Sequence, residues 1–331
     1  MRVAKPTFRT VFSFRAAASL SAALSCLSAL PSKAAGFAVL DFWGAGGFVH
    51  DSRVAANRYL DSLSQAMGFD LVKSQDPAVF TKANLAKYQV VILNQVSEMG
   101  KILNADQKAA AMEFFRSKGA IAWHGSAIIK DSWPEFLSFF GCAFLAHGAN
   151  TQTATMKRDP GATDHPIVQG LGASAAFDEE WYSYTRNPRT TSGVHVLFTE
   201  DESTCRGCGP AMGDHPIVWT VEPPQGGRFF YSGLGHKDDV FLKTAFTKTL
   251  YAQAIAWAAH SGVTVGLAPG IGSGAAGLES ESIGTLRIGS MDKAGRGAPL
   301  AAGVRIGKAE RDFVRLMSLD GRMLWEGRSA P

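Results

Sequence analysis

A chain of 331 residues with 46% hydrophobic and 19% charged residues can bury a sizeable core and need not be disordered, and one large domain with a small appendage is the natural expectation. The formal net charge of +4 is modest, and Arg2, Lys5, Arg9 and Arg15 contribute to it from a first segment that contains no acid. Such a balance gives no footing for nucleic acid.

Those basic residues precede an apolar stretch at 16–30, rich in Ala, Leu and Ser, and then Ser32-Lys33-Ala34-Ala35. Residues 1–35 therefore read as a secretory signal peptide, cut after Ala34 or Ala35. The apolar stretch is shorter than the roughly twenty residues that span a bilayer, so no stable membrane span is expected after cleavage. Export to the periplasm, the medium or the cell surface would place Cys142, Cys205 and Cys208 in an oxidising compartment. A local disulfide in Cys205-Arg206-Gly207-Cys208 is then expected ahead of a redox or zinc role, and Cys142 reads as a buried small side chain.

Residues 36–43 form a continuous apolar run opening into Gly44, Gly46 and Gly47, the pattern of a buried parallel strand entering a loop. A helix is predicted next, because Ala56, Leu60, Leu63 and Met67 recur at three and four, with Gly68 at the C-cap. Residues 88–93 read as a second buried strand. Asn104 caps a helix carrying Ala111, Phe114 and Phe115 that stops at Gly119, and 120–123 is a further strand. This alternation implies an α/β fold with a mostly parallel sheet sandwiched by helices, in which ligands bind beyond the carboxyl ends of the strands. Shorter runs over 151–231, including 194–198, 217–221 and 228–231, suit an added β region. One last helix is predicted over about 240–259, with Leu242, Phe246, Leu250, Ala254 and Trp257 on one face. The main domain thus occupies 36–262 and a Gly/Ala/Ser-rich linker 263–283. A short β-rich tail fills 284–331, with strands at 284–288, 303–306 and 313–317 and an Asp320-Gly321 hairpin turn before Met323-Leu324-Trp325. The Asp320-Gly321-Arg322 turn resembles those of C-terminal sorting modules in some secreted bacterial proteins.

Seven of the eight histidines lie between residues 50 and 236, and several fall directly after predicted strands. His50 follows the first strand and its glycine loop, His124 ends the 120–123 strand, and His236 ends the run from Phe229 to Gly235. His147 follows a predicted helix, and Asp178-Glu179-Glu180-Trp181-Tyr182 supplies carboxylates and a phenol. Imidazole titrates near neutrality and also ligates metals, so such a set serves either acid–base or metal-assisted chemistry. His50, His124, His147, Glu180 and His236 are therefore the candidate catalytic residues. The four histidines are equally candidate ligands for a divalent metal, a question that no His-x-x-x-His pair decides; no nucleotide cofactor is expected. His165 and His195 read as structural, Asp164-His165-Pro166 and Asp214-His215-Pro216 also fit turns that start strands, and Asp51 stands where it can cap the first helix.

Several segments follow one another in a known order: Gly47-Phe48-Val49-His50-Asp51-Ser52, Leu103-Asn104-Ala105-Asp106-Gln107, Gly119-Ala120-Ile121-Ala122-Trp123-His124-Gly125 and Ala146-His147-Gly148. After them come Glu180-Trp181-Tyr182, Asp214-His215-Pro216-Ile217-Val218-Trp219 and Tyr231-Ser232-Gly233-Leu234-Gly235-His236. Over about 36–259 the chain resembles the ThuA-like (trehalose utilisation) family, relatives of the class I glutamine amidotransferases. It departs from the family at Trp43-Gly44-Ala45-Gly46 and in the insertion holding Cys205 and Cys208. The resemblance implies an amidotransferase-like fold whose sharp strand-to-helix turn is here Trp123-His124-Gly125-Ser126. That turn has no cysteine, so thiolate chemistry on glutamine is not expected, and Ser126 lacks the Gly-x-Ser-x-Gly setting of a substitute nucleophile. The resemblance also implies a small-molecule carbohydrate partner, a sugar or an oxidised (keto) sugar. Its carbonyl or hydroxyl would be polarised or deprotonated by the histidines, with Glu180 as acid, base or orienter. Trp43, Asp51, Trp181, Tyr182 and His215 are the candidate substrate-binding residues, the two indoles offering flat faces. A non-catalytic carbohydrate-binding or surface-attached module is the alternative.

Overall fold

The computed structural model describes residues 36–260 and, beyond them, the strands at 286–287, 303–306, 313–318 and 323–328. The expected signal segment, the linker at 263–283 and the Asp320-Gly321 turn lie outside the described residues. The first half alternates: β1 (Ala38–Phe42), α1 (Arg53–Met67), β2 (Asp70–Ser74), α2 (Lys82–Leu85), β3 (Val90–Leu93), α3 (Ala105–Ser117), β4 (Gly119–Trp123) and α4 (Pro134–Phe140). There follow β5 (Phe144–Ala146), β6 (Gln152–Arg158), β7 (Ser174–Glu179), β8 (Ser183–Tyr184), β9 (Val194–Asp201), β10 (Pro216–Val221), β11 (Arg228–Ser232), α5 (Asp239–Leu242) and α6 (Ala245–Ala258). In the tail, β12 (Leu286–Arg287), β13 (Gly303–Ile306), β14 (Phe313–Ser318) and β15 (Met323–Arg328) pair antiparallel in that order.

Local chemistry sets the helix ends. Gly68 closes α1 at φ 74°, where a side chain would clash, and a capping box opens α3, with Asn104 and Gln107 each accepting the other's backbone N–H. Asp51 does not cap α1: the N-cap is Ser52, which makes no side-chain capping bond because its hydroxyl donates to Gly235 O (2.7 Å). The single helix expected over 240–259 is two helices, α5 and α6. Thr244 between them is extended (ψ 110°), and the Thr247 hydroxyl bridges the break by donating to Val240 O (2.5 Å). Nor is α6 one-sided, since every residue from Leu250 to Ala258 is buried.

One nine-stranded sheet runs β2-β1-β3-β4-β11-β10-β9-β6-β7. Its first five strands are parallel, and the added β region continues the same sheet with antiparallel steps. β2 was not legible as a strand, because DLVKS at a sheet edge is largely exposed and carries no apolar run. Successive residues of β11 show the sandwich. Phe229 packs against Phe115, Phe136, Phe139 and Phe140, whereas Phe230 packs against Tyr251 of α6 on the opposite face.

The topology then dictates where the chemistry gathers. The carboxyl ends of β1, β3, β4 and β11 open on one rim because these strands are parallel. Four antiparallel steps separate β7 from β11, so β7 points the same way and delivers Glu179 and Glu180 to that rim as well.

Candidate functional site

The rim brings together His50, His124, His147, His236, Glu180 and Tyr182. Glu180 is the hub: its Oε2 lies 3.2 Å from His124 Nε2 and 3.2 Å from His236 Nδ1, and its Oε1 lies 3.4 Å from His147 Nε2. The His50 ring stands edge-on to His124 (4.9 Å between centroids) and to His236 (5.7 Å), and Tyr182 Oη is 3.3 Å from His50 Nε2. Tyr182 also lies over the His124 ring at 3.9 Å. Exposure is graded across the group: the His147 and His236 side chains are 35% and 31% exposed, Glu180 14%, and His50 and His124 are buried.

Each position has a local cause. His124 follows β4 with φ +29°, a left-handed turn that throws its ring back across the strand ends. Its carbonyl accepts from Tyr231 Oη (3.1 Å), and its Nδ1 lies 2.7 Å from Gly233 O. A carbonyl only accepts, so Nδ1 carries the proton and Nε2 faces Glu180. Gly125 is glycine of necessity, since a Cβ there would fall 2.7 Å from the His50 ring. Ser126 is fully committed to structure, donating to Leu93 O (2.9 Å) and accepting from Val96 N (3.1 Å).

The electrostatics follow from burial around one carboxylate. Burial pushes the Glu180 carboxyl up, but the His124 and His236 rings beside it outweigh that, so the group is held well below the usual carboxylate range. Burial and the neighbouring imidazoles lower His50 to about 3, keeping it neutral, and burial lowers His124. Glu180 raises His236. Burial also raises the Tyr182 phenol, which stays protonated within hydrogen-bond distance of His50 Nε2.

Sequence reasoning missed the residues that hold this group in place. Glu179, buried at the end of β7, accepts from the backbone N–H groups of His236 (2.9 Å) and Lys237 (2.9 Å), stapling the loop after β11. Gln95, just past β3 with φ +60°, donates to Ser52 Oγ (2.7 Å) and Gly235 O (2.5 Å), tying together the loops after β1, β3 and β11. Its place at a strand end was the available signal. Phe48, 62% exposed, stands against the His50 ring at 4.8 Å.

Other expected site residues lie elsewhere. Trp181, expected as a sugar platform, is 2% exposed with its indole N–H donating to Gln152 O (2.8 Å), so its faces are packing surface. Trp43 is half-buried beneath the Arg53 guanidinium, 5.2 Å from the ring centroid. Asp51 is exposed at the start of α1. His215 is buried between Glu202 Oε1 (2.9 Å) and Tyr182 O (2.9 Å), so it supports the Tyr182 backbone and presents no ring nitrogen to a ligand. His165 accepts from Ile167 N and packs on Trp257, and His195 is exposed on β9. Cys205 and Cys208 form the expected disulfide, and Cys142 is buried, its thiol pushed up by burial.

Among solved structures, the chain is similar to a ThuA-like protein from Bacteroides uniformis, with 23% identity and a TM-score of 0.57 over 70% of this chain and 94% of that one. It is also similar to a ThuA-like protein from Parabacteroides merdae, with 19% identity and a TM-score of 0.52 over 68% and 91% of the two chains. The glutaminase domain of Trypanosoma brucei CTP synthase aligns at 9% identity and a TM-score of 0.44, over 68% of this chain and 94% of that domain. No curated protein matches. Residues 38–258, from β1 to the end of α6, match the family described as ThuA, trehalose utilisation, and the chain belongs to that family.

Proposed function

We propose that this is an exported enzyme acting on a sugar or an oxidised (keto) sugar by proton transfer at the Glu180 hub. The observation that carries the reading is a single carboxylate with three imidazoles at 3.2–3.4 Å on the strand-end rim. His147, the most exposed of the three, takes or returns the proton of a substrate hydroxyl or of carbon next to a carbonyl. Glu180 orients it and stabilises the imidazolium, and the buried His50, His124 and Tyr182 fix the floor beneath. Phe48 supplies the flat apolar face that Trp181 does not. The trehalose-utilisation family supports a sugar as substrate class, and a disulfide in the added β region suits an oxidising compartment. With Cys142 buried and Cys205 and Cys208 joined, no described residue offers a thiolate for amidotransferase chemistry.

The test is turnover of trehalose and of its keto derivatives by the wild type and by His147→Gln and Glu180→Gln. Both variants are expected to lose at least ~100-fold in kcat, the usual worth of a positioned acid–base group, while retaining sugar binding by calorimetry. Unchanged turnover would remove the assignment. If the wild type binds the sugar without converting it and the substitutions change only affinity, the domain is a carbohydrate-binding module instead.

A further inference from the structure

The protonation states around Glu180 do not close on their own. His124 Nδ1 is tied to a carbonyl, so the neutral ring turns a bare Nε2 lone pair towards Glu180 Oε2 at 3.2 Å. Acceptors aimed at acceptors need a cation between them. Nδ1 of His50 is buried without a hydrogen-bond partner, and Nδ1 of His236 meets the same Glu180 oxygen at 3.2 Å.

We infer that His50, His124, His236 and Glu180 form a binding site for one divalent first-row transition-metal ion. One ligand atom from each of the four lies within 4.8 Å of every other. The 3.2 Å from Glu180 Oε2 to His124 Nε2 and to His236 Nδ1 matches the roughly 3.0–3.4 Å between adjacent donors when each bond is roughly 2.0–2.1 Å long. Three imidazoles and one carboxylate suit zinc, cobalt, iron or manganese and disfavour magnesium and calcium, which take oxygen ligands. Outer contacts of the kind that orient metal ligands are also present: Gly233 O holds His124 Nδ1, and Glu179 holds the His236 backbone. His147, on the far oxygen of Glu180, is left outside the ligand set and free for proton transfer. The inference deepens the proposed sugar chemistry, because an ion here would polarise a substrate carbonyl or hydroxyl at the rim, but the site stands on its own geometry.

The experiment loads tag-free, chelator-stripped protein with Co2+ and reads visible absorption, with elemental analysis for Zn2+. One equivalent is expected, with the absorption of a four- or five-coordinate ion. His236→Asn and Glu180→Gln should each weaken loading at least ~100-fold, whereas His165→Gln should not change it. His236 is partly exposed, so its variant tests the site even where Glu180→Gln fails to fold. Failure to load, or equal loading of wild type and His236→Asn, overturns the site. Loading is read without substrate, so a protein that takes up one equivalent but converts no sugar keeps the metal site and loses only the sugar reading.

Discussion

Asp41 is a carboxylate the fold buries at a cost. It lies on β1, fully buried, and neither carboxylate oxygen makes a hydrogen bond of standard geometry; Asn94 Oδ1 is likewise without a donor. Burial raises the group from 3.8 to about 7, and the nearby Asn94 amide and Lys73 charge only partly offset it. The folded state therefore holds a proton that the unfolded chain releases near pH 4. Stability contributed by that proton is full below the unfolded value and is lost as pH rises through about 7. Asp41→Asn should be more stable than wild type at pH 8, by on the order of a few kcal/mol from roughly 1.4 kcal/mol per pKa unit, and the gap should narrow towards pH 5. Urea unfolding at the two pH values decides it, and a gap independent of pH would contradict the assignment.

At the scale of elements, the most separable contribution is the cap of α3. Both halves of the box are formed, Gln107 N to Asn104 Oδ1 and Asn104 N to Gln107 Oε1, each at 2.9 Å. Asn104→Ala removes one partner and frees the other, so it should cost about 1 kcal/mol. The expected reading is a lower urea midpoint with an unchanged slope. An unmoved midpoint would mean that packing of Ala111, Phe114 and Phe115 alone sets the helix start. The break between α5 and α6 belongs to this scale too. α1 packs against α5, and Tyr59 Oη on α1 donates to Lys248 O (2.6 Å) of α6, contacts that helical periodicity does not register.

For the whole molecule, the family match at 38–258 spans the nine-stranded sheet and the helices from α1 to α6. A chain of residues 36–262 is accordingly expected to fold alone. It should melt in one transition within ~3 °C of a chain that keeps the tail, a difference of about 1 kcal/mol for a domain of this size. A broad or non-cooperative melt would show that the tail completes the core.

The α/β alternation, the capped start of α3 and the strand-end histidines were legible because periodicity, caps and glycines are local signals. His50, His124 and His236 could be gathered in advance, since parallel strands must open on one rim, whereas Glu180 arrives there through four antiparallel steps. What no local signal carried was the role of each side chain after packing. Trp181 and His215 lie in the same motifs as their site neighbours, yet one ring is enclosed and the other braces a backbone carbonyl. Gln95 looked ordinary in the sequence, and Glu179 stood out only as one of several carboxylates, yet both tie the rim loops together. The one-helix reading of 240–259 failed for the same reason: apolar spacing reports which residues seek burial, whereas the break at Thr244 and the burial of α6 on nearly every side are set by neighbours far away in the chain. The sequence by itself thus determined the buried strands β1, β3 and β4, the cap of α3 and the rim on which the chemistry collects. Only the tertiary structure decided which polar groups meet there, because hydrogen-bond partners such as His124 with Gly233 and Glu180 are chosen across separations of 109 and 56 residues.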